Sequence, residues 1–454
     1  MRFGLGVIQL AVLGSNVLSP LSIAIVVGHV LDAAEANAVH ILVGVVLDLL
    51  ADQLCGGVTG QGDEVVVHHD SAFEGAQDLQ TSLGIVVSAA AGILLGGAVS
   101  SGDGAGGAVH DLEPIGNLGG PLGAVQLDGE LASNGLKLHE ISFARSPLNP
   151  KNLKGYKQLK KLQKENQYDI IYCQQPVGGV MGRLVAKKFK KSCIYVAHGF
   201  HFLKGGSKIK NLIFKTIEKH FAKHTTALVT INNEDYEASK GWKAKHIYKV
   251  NGIGVDLSKY KPNTKLDTKT FKESLGFEKD DFIVTSIGEL NENKNTYQIL
   301  DVIKNIENDK IKYLIVGQGP LKEQMEEFIK ANNLENRIKL VGFRKDIQDI
   351  LTISNVYIMP SHREGLSRSM MEAMCFGLPV VASRIRGNTD LIGENEGGIL
   401  CEKCDKEAYK NAILQIFESK TLQKQYKDRN ISFVKNFDID IVLKQFEDIY
   451  EETL

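Results

Sequence analysis

From residue 137 onward, short apolar runs alternate with amphipathic stretches. Residues 138–144, 168–173, 192–197, 227–231 and 247–250 read as strands. After a polar interval the same reading applies to 282–287, 313–316, 338–341, 356–359 and 380–382. Helical periodicity runs through 153–166, 178–190 and 209–222, then through 296–306, 321–332, 347–353 and 367–376. Further helices are expected from 408 to the end. Runs of four to six apolar residues without polar alternation suit parallel strands covered on both faces, and the intervening helices supply the crossovers. The predicted class is α/β, with two Rossmann-like domains joined by a polar linker at 252–267. No G-x-G-x-x-G follows a strand, which weighs against a dinucleotide oxidoreductase.

The first 136 residues do not share this pattern. They hold one basic residue, Arg2, against 14 acidic ones, and 24 of the 45 glycines; they contain no Lys, Tyr or Trp. The formal net charge of −1 is therefore the sum of a −13 segment and a +12 remainder. Dense glycine disfavours both helix and strand. Residues 3–31 and 79–102 are uncharged and long enough to span a bilayer. However, the first is broken by polar residues and Pro20, and neither has flanking Lys/Arg or an aromatic belt, so no span or signal peptide is expected. The Ala/Gly/Val/Asp usage implies GC-rich codons, and the Lys/Asn/Ile usage that follows implies AT-rich ones. The expectation is an atypical segment, non-native to the rest or disordered, although residues 3–13 could pass as a first strand. It should be protease-sensitive, while 251–454 should fold and bind nucleotide by itself. The expected divisions are 1–136, 137–250, 251–436 and a terminal helix at 437–454 that could cross back to the first domain.

Six cysteines form no disulfide framework, which makes a reducing cytoplasm the default. Cys401 and Cys404 form a single C-x2-C without a second pair, and ordinary thiols near a strand end are expected there rather than zinc. In open parallel sheets ligands bind beyond the carboxyl ends of strands. Such an end lies after 357–360, where the chain reads Ser361-His-Arg-Glu364-Gly365-Leu366-Ser367 and then enters a helix that stops near Gly377. The helix start would offer backbone N–H groups and a positive dipole end to a phosphate. Glu364 and Glu372 bracket it, and each carboxylate can accept from two sugar hydroxyls.

This element resembles the E-x7-E signature of retaining glycosyltransferases of the GT-B fold, family 4. The resemblance runs from about residue 137 to the C-terminus. It is carried also by Ile141-Ser-Phe-Ala-Arg145, Pro176-Val-Gly-Gly-Val-Met-Gly-Arg183, Ala197-His198-Gly-Phe-His201, Ile231-Asn-Asn-Glu-Asp235, Gly252-Ile-Gly-Val-Asp256 and Gly288-Glu289-Leu-Asn-Glu-Asn-Lys294. These look like the subgroup that builds bacterial capsule and exopolysaccharide.

The resemblance implies two Rossmann-like domains facing a cleft and transfer of a hexose, with retention, from a nucleotide diphosphate sugar, often a UDP-sugar. The acceptor would be a polyprenyl-diphosphate-linked glycan. No cofactor and no metal are implied, and Asp438-Ile-Asp440 is a decoy for a metal-binding triplet. Glu364 would touch the donor hexose, Glu372 the ribose, and Gly365, Leu366 and Ser367 the diphosphate and sugar through backbone N–H. Lys294 would pair with the diphosphate as its charge grows on leaving. Gly317 and Gly319 would let backbone approach the nucleotide, with Phe343 and Arg344 beside the base. Glu289 stands where the family commonly has Arg. On the other half, His198 follows a strand directly and would contact the transferred sugar or acceptor. Arg145, Arg183 and His201 are weaker acceptor-side candidates, each of the two arginines being equally suited to an ion pair.

Lysines at 157–164 and 187–191 suit peripheral contact with the anionic inner face of the plasma membrane. Nucleic acid competes for such a face, but no helix-turn-helix, RNA-binding or zinc signature supports it. Two other functions stay open on the same fold: a hydrolysing nucleotide-sugar epimerase, and a chimeric chain that binds nucleotide without turnover.

Overall fold

The buried runs assemble into two sheets, as their lack of polar alternation requires. The computed structural model describes residues 7–12, 23–24, 139, 141, 143 and 151–454 except 175 and 395; the other features expected of residues 1–150 lie outside these. The chain divides into two compact units, with the boundary after Val250 and the final residues Leu443–Leu454 belonging to the first unit.

The first unit carries the strand order β2-β1-β3-β4-β5-β6. These strands are β1 (Val7–Val12), β2 (Ile23–Ala24), β3 (Ile170–Gln174), β4 (Ser192–Ala197), β5 (Ala227–Thr230) and β6 (His246–Lys249). All neighbours run parallel except β1 and β2. β1 lies within the 3–13 stretch and pairs in register with β3, Val7 opposite Ile170 and Leu10 opposite Cys173. Helices Lys151–Asn166, Pro176–Phe189 and Lys208–Ala222 pack around Leu159, Ile171, Val185, Tyr195 and Leu228. The last helix, Ile439–Thr453, brings Tyr450 to stack on Tyr172 at 5.8 Å between ring centroids.

The second unit is wholly parallel, in the order β12-β11-β10-β7-β8-β9. Its strands are β7 (Phe282–Ile287), β8 (Ile311–Val316), β9 (Ile338–Leu340), β10 (Val356–Met359), β11 (Val380–Ser383) and β12 (Gly398–Cys401). Starting at β7 the chain builds outward to β9, then returns to the other side of β7 and builds outward again through β10. The direction reverses between β7 and β10, and the loops leaving these two strands diverge there. Such a switch point is where a doubly wound sheet opens a ligand crevice. Ile299, Ile303, Tyr313, Ile358, Tyr409 and Ile413 fill the core beside it.

Two readings from the sequence need correction. Of the strand expected at 138–144, only His139, Ile141 and Phe143 are described and none lies in a strand. Conversely β12 was expected only as a strand end near Cys401 and without a range, because Gly397 and Gly398 interrupt its apolar run. A Cβ on Gly398 would sit 2.0 Å from the Val380 carbonyl oxygen, so glycine is what allows this edge strand to approach β11. Among the described residues no helix is long and apolar enough to cross a membrane.

Candidate functional site

The loops leaving β7 and β10 meet at the switch point. After β7 come Gly288 and Glu289, then a turn ordered by its own side chains. Asn291 donates to Glu289 Oε2 at 2.8 Å, while its Oδ1 accepts from the Lys294 backbone N–H at 2.9 Å. The acid at position 289 therefore shapes the loop that carries Lys294. Asn293 and Asn295 tie this loop to the one after β10: the Asn293 carbonyl accepts from His362 N–H, and the two side chains donate to the Arg363 and Pro360 carbonyls. Lys294 Nζ then reaches Glu364 Oε1 at 2.8 Å. These side chains are 17% and 12% exposed, which leaves the pair open to a ligand.

Beyond Glu364 the chain turns through Gly365 and Leu366 to Ser367, which caps helix Arg368–Cys375 by accepting from Met370 N–H at 3.3 Å. The backbone N–H groups of Gly365, Leu366 and Ser367 have no protein acceptor among the described residues. Arg386 donates to the Glu364 carbonyl, and Gly387, at φ +79°, lies so near that a Cβ would meet the Gly365 oxygen at 2.3 Å. Leu366 is buried against Gly252, where a Cβ would meet its Cδ2 at 2.5 Å. The turn is thus clamped on both sides by glycines. The helix ends as its sequence requires, with Gly377 at φ +70°.

Glu372 lies on the second turn of that helix and is buried, with Arg368 Nε at 2.9 Å. Burial raises its carboxyl above the ordinary range, against the pull of Arg368, a hydrogen bond from Tyr260 and the charge of Lys259. Tyr260 and Arg368 were not legible as site residues, since nothing local marks a linker tyrosine as a carboxylate partner. Gly317 and Gly319 press on the β7 loop. A Cβ on Gly317 would lie 1.8 Å from the Gly288 carbonyl oxygen, and one on Gly319 would lie 2.4 Å from that of Leu290. Only glycine fits either place. Arg344 beside them forks onto Asp346, with nitrogens 2.8 and 2.5 Å from its two oxygens, and Phe343 is half-buried.

In the first unit, His198 follows β4 and Gln174 ends the neighbouring β3. Gln174 spends its amide N–H on Tyr172 Oη, so its Oε1 accepts from His198 Nε2–H at 2.7 Å and leaves Nδ1 as the acceptor nitrogen. Burial pushes this imidazole down to about 4. The Phe200 N–H donates to the fully buried Asp235, which Asn232 also holds, so the Ile231 to Asp235 motif fastens the loop that presents His198.

Arg183 is not an acceptor-side residue. It is wholly buried, pairs with Glu218 at 2.8 Å, donates through Nε to the Gly179 carbonyl and stacks over Tyr195 at 4.0 Å. A soluble anion cannot reach it. His201 is exposed, its ring 5.3 Å from Phe214, and Arg145 lies outside the described residues. Cys401 is a buried thiol at the end of β12, pushed up to about 12 by burial, and Cys404 is exposed. No cluster of three metal-ligating side chains occurs among the described residues, Asp438 and Asp440 included.

Comparison with known proteins places this geometry. Residues 267–433 match the family model "Glycosyl transferases group 1", and 124–232 match "Glycosyl transferase 4-like". The chain is 31% identical over 317 residues to the assigned glycosyltransferase EpsD of Bacillus subtilis, covering 68% of this chain and 83% of that one. It is 33% identical over 313 residues to the UDP-Gal:alpha-D-GlcNAc-diphosphoundecaprenol alpha-1,3-galactosyltransferase of Escherichia coli, covering 66% and 79%. Anabaena HepE, crystallised with UDP, shares the fold at a TM-score of 0.60 and 20% identity, over 72% of this chain and 89% of that one. Sequence and fold agree along most of the length of these relatives, and this chain belongs to the glycosyltransferases of the GT-B fold.

Proposed function

We propose that this glycosyltransferase moves a hexose from a UDP-sugar, with retention and without a metal, to a polyprenyl-diphosphate-linked glycan during capsule or exopolysaccharide assembly. It would work at the inner face of the plasma membrane. The observation that carries the reading is the Lys294–Glu364 pair at the switch point, beside three backbone N–H groups without a protein acceptor among the described residues. An incoming donor would exchange this pair. Glu364 would turn to hexose hydroxyls, and Lys294 to the diphosphate. As the bond to the anomeric carbon breaks, negative charge grows on the diphosphate. A preorganised ammonium, the helix start at Ser367 and the N–H groups of Gly365 and Leu366 would stabilise that charge more than the ground state.

Glu372, held by Arg368 and Tyr260, would accept from the ribose, and Phe343 and Arg344 would lie beside the base. His198 would use its unprotonated Nδ1 toward the transferred sugar or the acceptor. The UDP bound to HepE and the lipid-diphosphate acceptor named for the Escherichia coli relative support donor and acceptor classes of this kind.

A thermal-shift screen of UDP-, GDP- and ADP-sugars tests the donor, because a ligand that binds the native state raises the melting temperature. Transfer from the stabilising nucleotide sugar to a lipid-linked sugar tests the acceptor. Release of free nucleotide without any acceptor would point instead to a hydrolysing epimerase.

A further inference from the structure

We propose that the outer face of helix Lys208–Ala222 is a docking surface for anionic lipid, with Ile209 and Leu212 entering the acyl boundary and the surrounding lysines meeting phosphate headgroups. The inference adds a surface and its partner to the proposed lipid-linked acceptor chemistry, but it stands on different residues from the sugar-transfer site.

The helix has two unlike sides. Phe214, Glu218, Phe221 and Ala222 turn inward, Glu218 to pair with Arg183 and Phe214 to pack on the core. On the opposite side, Ile209 is 59% and Leu212 69% exposed, one turn apart. Folding alone gains little from either side chain, and large exposed aliphatics set side by side mark a contact surface. Ser207 caps the helix, and Asn211 holds the preceding loop through both the N–H and the carbonyl of Leu203. This end of the helix is therefore built, and its apolar turn is presented on a rigid support.

Lys208 and Lys210 flank that turn, Lys215, Lys219 and Lys223 follow along the helix, and none has a carboxylate partner among the described residues. Between 151 and 224 the chain holds 17 basic residues against three acidic ones, and one acid of the three is consumed inside by Arg183. The neighbouring helices extend the field. Lys187 and Lys223 act together on His220 and His224, while Lys157 and Lys188 act on Lys160, each lowering its proton affinity after burial has done so. Like charges held this close repel, and an anionic surface relieves the repulsion. A nucleic acid would satisfy the lysines but would leave Ile209 and Leu212 in water. A bilayer satisfies both, because the amine tips reach headgroups while the aliphatic side chains lie below them.

The test is co-sedimentation of the full chain with vesicles of phosphatidylcholine alone or mixed with phosphatidylglycerol, at low and high salt. Binding should require phosphatidylglycerol and weaken as salt rises. The double variant Ile209→Gln/Leu212→Gln should bind mixed vesicles roughly tenfold less, since two buried aliphatic side chains are lost. Its melting temperature should be unchanged, because both positions are exposed. Lys208→Gln/Lys215→Gln/Lys219→Gln should abolish most of the salt dependence. Equal binding by wild type and the Ile209/Leu212 variant overturns the proposal, as does equal binding to neutral vesicles. Dimerisation that the same variant abolishes would assign the surface to a second copy and equally overturn it. Vesicle binding needs no nucleotide sugar, so its failure is separate from any failure of sugar transfer.

Discussion

Two ion pairs in this molecule have the same length and unlike surroundings. Arg183–Glu218 and Lys294–Glu364 both measure 2.8 Å. The first sits among Gly179, Tyr195 and Phe221, with the guanidinium side chain fully enclosed and Glu218 also bonded to the Tyr195 hydroxyl. The second lies between two loops at a switch point and keeps part of each side chain exposed. A pair enclosed by aromatic rings and a backbone carbonyl holds an element in place. A pair exposed to a crevice stores two charges that a substrate can take over. Distance does not tell them apart; burial and the remaining partners do.

The sharpest way to break this comparison is to remove one member of each pair and read stability and turnover separately. Glu218→Ala strands Arg183 in the core and should cost about 3–5 kcal/mol of stability, measured by urea unfolding. Replacing both partners, as in Arg183→Met/Glu218→Leu, should recover most of that loss, because the uncompensated charge is gone. A Glu218 variant as stable as wild type would show that the pair is not structural.

Lys294→Ala and Glu364→Ala should do the reverse. Each should lower turnover by about 10²–10³, equivalent to roughly 2–4 kcal/mol in the transition state, while the unfolding midpoint stays near wild type. Turnover that survives either change would remove the assignment of this crevice as the donor site. Glu372→Ala should likewise reduce turnover with the fold intact. Tyr260→Phe is milder: it removes one hydrogen bond of about 1 kcal/mol from Glu372, so nucleotide affinity should fall about fivefold with little change in maximal rate.

The last effect concerns His198 and appears only in acid. Its folded-state pKa of about 4 lies below the ordinary 6.5, so the folded protein favours the neutral ring. The stability this contributes is present above 6.5 and is lost as pH falls toward 4, because the unfolded chain takes up the proton first. His198→Gln should flatten that part of the stability curve, read as the slope of unfolding free energy between pH 6.5 and 4. An unchanged acid slope would show that the ring is not held neutral by its surroundings.

Much of this was legible from local pattern. Unbroken apolar runs announced the parallel strands, and β4, β7 and β10 fall where the periodicity placed them. Ser367, Gly377 and the spacing of Glu364 and Glu372 also read directly, because capping and helical spacing are properties of a few consecutive residues. Basic stretches at 157–164 and 187–191 were also legible as composition, whereas the lysines of 208–223 were not singled out.

What tertiary structure alone decided are relations between residues far apart in the chain. Arg183 looks like any cationic residue on a helix until β4 and helix Lys208–Ala222 close over it and supply Tyr195 and Glu218. Tyr260 becomes a partner of Glu372 only when the segment after Val250 is laid along the second unit. Ile209 and Leu212 carry the same helical spacing as core residues, and only the packed unit shows that their side of the helix was left uncovered. Local sequence determines which conformation each segment prefers, since dihedral preferences, caps and periodicity act over a few residues. Whether a charge is buried, shared or presented depends on which distant side chains fill the space around it, and only the fold determines that.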